Sequence, residues 1–154
     1  MLNIFRKAEN TAILYLVFSI LDRWKKKPLK THRLKFTVLE FFDDFVVSTL
    51  FENIIFDQKC VDILRDICLE FYKDESFVYI SQRNVDYNVD PTIYRSLTNI
   101  RPLIGVAVVS HNISAMKMAN FEKKFSPLPY EIFFEMEDAM EWAEELIRNK
   151  KADL

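Results

Sequence analysis

The run Leu103-Ile104-Gly105-Val106-Ala107-Val108-Val109 carries no polar side chain. A parallel strand covered by helices on both faces reads as such a run, because neither of its two alternating rows of side chains meets water. The stretch therefore predicts an interior strand of a layered α/β domain. Behind it come a helical pattern, a turn bounded by Pro127 and Pro129, a strand over residues 130–134 and a second helical pattern. These are two strand-to-helix units in series. Parallel strands cannot be joined by a tight turn, so crossover helices are required.

The chain in front of this region reads the same way. Residues 34–42 and 45–52 are strand-like and are separated by Asp43-Asp44, a pair suited to a tight turn, so they predict a hairpin. Asp57 precedes a helix with Val61, Leu64, Cys68 and Phe71 on one stripe, and is placed to cap it. Residues 77–80 form a short apolar strand. A polar connection from Ser81 follows, then a helix opened by Asp90-Pro91 with Ile93, Tyr94 and Leu97 facing inward. Asn112 or Ser114 can cap the next helix, whose inner face is expected to be Ala115, Met118, Phe121 and Phe125. The last helix keeps Met136, Ala139, Met140, Ala143, Leu146 and Ile147 at helical spacing. The expected architecture is α/β: an N-terminal apolar helix, then ββαβαβαβα with a mixed, mostly parallel five-stranded sheet.

A chain of 154 residues suits one such domain. We divide it into residues 1–33, an N-terminal helix and basic linker, and residues 34–154, the α/β domain. The N-terminal helix is expected from Ile4 to Trp24, with Ile13, Leu16, Val17, Ile20 and Trp24 on one side. Its most apolar part is too short to span a bilayer. Three readings stay open for it: a helix covered by the domain or by a second subunit, an interfacial membrane helix assisted by the basic cluster, and a processed leader.

That cluster comprises Arg23, Lys25, Lys26, Lys27, Lys30, Arg33 and Lys35, with His32 among them. In a chain of net charge -2 with Trp24 as the cluster's only aromatic neighbour, it reads as a solvated linker, and no nucleic-acid partner is expected. Anionic lipid is the next possibility, through peripheral contact of residues 1–30. The two cysteines, Cys60 and Cys68, fall about 12 Å apart by helical rise, too far for a disulfide. Free thiols of this kind fit a cytoplasmic protein.

No cofactor or metal is expected. Gly105 is the single glycine, which excludes the glycine-rich phosphate loops. His32 and His111 are far apart, and the cysteines lack paired zinc spacing. Ser110, His111 and Asp86 can be assembled on paper, but adjacent residues of a strand point to opposite faces, so no catalytic residues and no enzyme activity are expected.

The stretches Phe77-Val78-Tyr79-Ile80-Ser81, residues 105–110 (Gly-Val-Ala-Val-Val-Ser) and Tyr130-Glu131-Ile132-Phe133-Phe134 leading to Trp142, in this element order, resemble the STAS superfamily, in particular small proteins similar to anti-sigma factor antagonists. The resemblance covers about residues 35–147 and implies a non-enzymatic regulatory module that contacts a protein partner and can self-associate as a homodimer. Those antagonists carry a phosphorylatable serine in an Asp-Ser-Ser/Thr-Gly run. This chain has Ser81-Gln82-Arg83-Asn84 at the similar place and no such run.

In open α/β sheets ligands and partners meet the carboxyl ends of the strands. The candidate interaction surface there is Ser81, Arg83, Asn84, Tyr87, Ser110, His111 and Asn112. Arg83 offers a planar fork for an anion, and His111 can titrate near neutrality. The rival to the interaction module is a protein that binds lipid or a small ligand and uses the apolar N-terminal helix as lid or membrane contact.

Overall fold

A computed structural model describes residues 10–18 and 26–154. Residues 10–18 are helical (α1), and Ile13, Leu14, Tyr15, Leu16, Val17 and Phe18 are all exposed. The rest of the expected Ile4–Trp24 helix, including Ile20 and Trp24, lies outside the described residues. No helix among the described residues is long and apolar enough to cross a membrane.

The body is α/β, with a mixed sheet of six strands in the order β1-β2-β3-β5-β7-β8. Lys30–Arg33 (β1), Thr37–Phe41 (β2) and Phe45–Leu50 (β3) form an antiparallel meander. Phe77–Gln82 (β5), Leu103–Val109 (β7) and Tyr130–Phe133 (β8) then add in parallel. Ile55–Phe56 (β4) and Asn88–Val89 (β6) pair in a small separate ladder. The expected count of five strands is thus corrected to six. The additional strand, β1, lies in the stretch read as linker because it is an edge strand built of Lys30, Thr31, His32 and Arg33 rather than of apolar residues.

The expected hairpin forms, with Phe42 N–H donating to Phe45 O at 2.9 Å across Asp43-Asp44. Asp57 caps Gln58–Tyr72 (α2) through bonds from Lys59 N and Cys60 N. Asp90 caps Pro91–Asn99 as expected, but the segment is a 3-10 helix. Asn112, not Ser114, caps Ile113–Glu122 (α3). Met136–Ala152 (α4) closes the chain.

Strand order explains how the helices are shared between the faces. From β3 the sheet grows in one direction, and right-handed crossovers in one direction place every connecting helix on the same side. Accordingly α2, the 3-10 helix and α3 bury Val61, Leu64, Cys68, Ile93, Tyr94, Leu97 and Ala119 against Val46, Leu50, Phe77, Val106 and Val108. Among the described residues, the helix covering the other face is α4, which follows the last strand and makes no crossover. There Ala139, Ala143 and Ile147 meet Phe45, Val47, Val78, Ile80, Ala107 and Val109. Beside α4, Lys26 pairs with Glu144 and lies over the Phe45 ring.

One face departs from expectation. α3 lies on the sheet by Ala115, Ala119 and Glu122, spaced by four and three residues, while Met118, Phe121 and Phe125 turn to solvent with Ile113. Alanines let the helix axis approach the sheet closely, and that approach brings Glu122 into the interior.

Candidate functional site

The interior under the crossover helices contains a polar cluster at the end of an apolar cavity. Side chains alternate along β5, so Phe77, Tyr79 and Ser81 face the helix layer. Arg83 continues the alternation past the end of the strand, because its N–H still donates to Val109 O at 2.8 Å. Its side chain is therefore aimed inward and is only 6% exposed.

A buried guanidinium is tolerated only with a matched partner. Glu122 supplies it: Arg83 Nη1 donates to Oε1 at 2.9 Å and Nη2 to Oε2 at 2.5 Å. Tyr94 from the 3-10 helix and Tyr130 from β8 also donate their hydroxyls to Oε2, at 2.5 and 3.2 Å. The carboxylate thus receives four donors from three residues, three of them at Oε2 and one at Oε1. Burial opposes the Arg83 charge, yet the doubly bonded carboxylate more than compensates and holds its pKa above the ordinary value. Burial raises the Tyr94 and Tyr130 phenols, and the Glu122 charge raises both further, so they remain donors.

Tyr87 stands on the other side of the guanidinium, its ring centroid 5.2 Å from Arg83 Cζ, and its hydroxyl bonds Ser81 Oγ at 3.0 Å. Nearby, Thr37 and Ser48 hydroxyls share a buried bond of 2.8 Å. Among the described residues, two buried side-chain atoms, Arg83 Nε and Tyr79 Oη, lack a hydrogen-bond partner.

Both residues line a mostly apolar cavity of about 60 Å³. Its floor is Leu50, Phe77, Leu103 and Val106 of the sheet. Its roof is Leu64 and Cys68 of α2 with Ile93 and Leu97 of the 3-10 helix, and Phe56 and Val89 of the small ladder close one side. Arg65, at the rim, is engaged with Asp62 and Asp66. Cys68 carries a thiol pushed by burial up to about 12, so it contributes apolar wall rather than reactivity.

The seven residues expected at the strand ends separate into two groups. Ser81, Arg83 and Tyr87 come together inside. Ser110 is buried beside them, donating to Arg83 O at 3.0 Å and accepting from Asn112 N at 3.0 Å, which ties the end of β5 to the start of α3. Asn84, His111 and Asn112 are exposed along an open groove of about 540 Å³ shared with Glu135. His111 stacks on Phe134 with centroids 4.3 Å apart and has Nε2 3.7 Å from Glu135. Ser110 and His111 thus face opposite ways, as adjacent strand-end residues do. Asp86 is exposed. Among the described residues no group of three or more His, Cys, Asp or Glu side chains is placed to hold a metal.

Glu122, Tyr79, Tyr94 and Tyr130 were not singled out as site residues by the sequence pattern. The available signal was Glu122 in helical register with Ala115 and Ala119. Compared with family models, curated proteins and solved structures, the chain matches none.

Proposed function

We propose that the protein is a non-enzymatic binding module with a STAS-like body that holds a small, largely apolar ligand beneath α2 and the 3-10 helix. The observation that carries this reading is the cavity itself, an apolar chamber between the sheet, α2 and the 3-10 helix, with Tyr79, Ser81, Arg83 and Tyr87 among the residues around it. A mostly apolar pocket with a few placed polar groups is the usual form of a small-molecule site. The STAS-like comparison draws its support from the hairpin followed by three crossovers, with helices on both faces. A cytoplasmic setting is the one that two free thiols suit.

Xenon tests the chamber without presuming the ligand's chemistry. Methyl resonances of Leu64, Ile93, Leu97 and Val106 shifting together under xenon pressure support the reading, and their indifference to xenon removes it.

A second reading, a regulatory module that contacts a protein partner or a second copy of itself, is favoured by the outward apolar side of α3, where Ile113, Met118, Phe121 and Phe125 are exposed. Light scattering that returns a monomer mass across working concentrations counts against self-association. Peripheral membrane contact through residues 1–30 is read by liposome flotation of the intact chain against a chain lacking them.

A further inference from the structure

Two clusters of exposed large apolar side chains stand out among the described residues, and they belong to opposite ends of the chain. In α1, Ile13, Leu14, Tyr15, Leu16, Val17 and Phe18 are each 44–75% exposed. Six consecutive residues make about one and two-thirds turns, so they pass right round the helix, and a helix apolar on all sides is a buried element. On α3, Ile113, Met118, Phe121 and Phe125 are 39–72% exposed. Side chains of this size carry about 200 Å² apiece, so these ten leave roughly 1,000 Å² uncovered per copy, above the roughly 800 Å² that each partner gives to a standard interface.

The path of the chain shows which α3 is within reach of α1. Lys26 pairs with Glu144 of α4 and lies over Phe45, the first residue of β3, so the chain enters the body on the α4 face. On the opposite face α3 runs beside β8, where Glu122 accepts from the Tyr130 hydroxyl and Lys123 pairs with Glu131. Residues 19–25 allow about 28 Å between Phe18 and Lys26 at full extension. The way round the β8 margin to the outward side of α3 covers three strand spacings, about 14 Å, and the thickness of the sheet with its helix layer, about 20 Å. α1 therefore falls short of α3 in the same chain.

Charge separates the remaining pairings. Lys117 and Lys124 flank the exposed apolar residues of α3, whose one acidic side chain, Glu122, is buried, so two α3 helices face to face would oppose like charges. Residues 10–18 carry no charge. Nor does α1 have the polar face that a helix lying in a membrane surface needs. We propose that α1 of one copy lies on the outward side of α3 of a second copy, and that the exchange is reciprocated about a two-fold axis so that both clusters are covered at once. This rests on the self-associating reading given above and names the segment that makes the contact.

The test uses the full chain. Sedimentation and light scattering across working concentrations are expected to give a dimer mass. Leu16→Glu and Phe121→Glu, each setting a charge in the contact, are expected to raise the dimer dissociation constant about 30-fold or more. Both positions are exposed, and far-UV circular dichroism equal to that of the parent chain checks that the body stays folded. On a Cys60→Ser background, Leu16→Cys/Phe121→Cys is expected to oxidise to a two-chain product. A bridge formed within one chain puts α1 on its own α3 and overturns the proposal. A dimer that survives Leu16→Glu but not Phe121→Glu overturns it while self-association through α3 stands. A dimer indifferent to both substitutions, or a monomer mass at every concentration, removes both. Flotation of a monomeric intact chain with phosphatidylcholine–phosphatidylserine vesicles, lost in Leu16→Glu, assigns α1 to lipid and also overturns the proposal.

Discussion

Arg83 and Glu122 are 39 residues apart in the chain and meet as a two-bond pair sealed from solvent, with Tyr94 and Tyr130 completing the coordination of the carboxylate. Four elements converge on one side chain: the end of β5, the 3-10 helix, the end of α3 and the start of β8. Removing one partner leaves the other charged and buried. Glu122→Ala is expected to lower unfolding free energy by about 3–5 kcal/mol, measured by urea denaturation. The double variant Arg83→Met/Glu122→Leu should lose much less, because neither charge is then stranded. A double variant as unstable as the single one would mean that the pair supplies net stability beyond charge compensation.

Alkaline pH should unfold the protein early. Burial raises the phenols of Tyr72, Tyr79, Tyr87, Tyr94 and Tyr130 above the ordinary value of 10.0, and the Cys68 thiol from 9.0 to about 12. Below the ordinary values these groups are protonated in both states and contribute no pH dependence. Above them the unfolded chain ionises while the folded one resists, so the unfolded state holds fewer protons and stability falls as pH rises. Each group contributes up to about 1.4 kcal/mol per pH unit. Urea midpoints should therefore be flat to about pH 8, begin to fall near pH 9 as the unfolded Cys68 thiol ionises and fall steeply beyond about pH 10, with tyrosinate absorbance appearing together with unfolding. Tyrosinate formation well before loss of structure would contradict the burial of these rings.

Gly105 marks the closest approach of α4 to the sheet. A Cβ there would stand 2.8 Å from Leu146 Cδ1 and 3.2 Å from Trp142 Cη2. The branched side chain of Gly105→Val must displace both, which outweighs the better strand propensity of valine. A loss of about 1–3 kcal/mol is expected in chemical denaturation. An unchanged midpoint would show that α4 can shift outward freely.

Lys73, which ends α2, has φ 56° and ψ -114°, a conformation that side chains with a Cβ rarely adopt. Its N–H nevertheless donates to Leu69 O at 2.9 Å, so the backbone bond holds it there. Glycine adopts this geometry without strain, and Lys73→Gly should raise stability by about 1 kcal/mol. A lower melting temperature would instead indicate that the lysine side chain has a stabilising contact.

The layered fold was legible because its interior strands are apolar on both rows, as the run at residues 103–109 illustrates. The helix starts were legible because Asp57, Asp90 and Asn112 cap them by the expected bonds. What was hidden has physical reasons. β1 is polar because an edge strand with one open side needs no apolar row. The buried side of α3 was assigned to Met118, Phe121 and Phe125 on hydrophobicity, whereas two alanines and a glutamate occupy it. Glu122 is invisible from α3 alone because its burial depends on Arg83, which strand alternation carries inward past the end of β5. The cavity is a property of how α2 and the 3-10 helix span one sheet face, and no single segment encodes it.

The sheet ends on one side in β1, which carries Lys30 and Arg33, and on the other in four-residue β8, reached through Pro127 and Pro129. Positive charge at one margin repels a second copy of itself, and brevity beside backbone that lacks amide donors limits ladder growth at the other. Both margins of the sheet thus discourage stacking strand upon strand into fibrils.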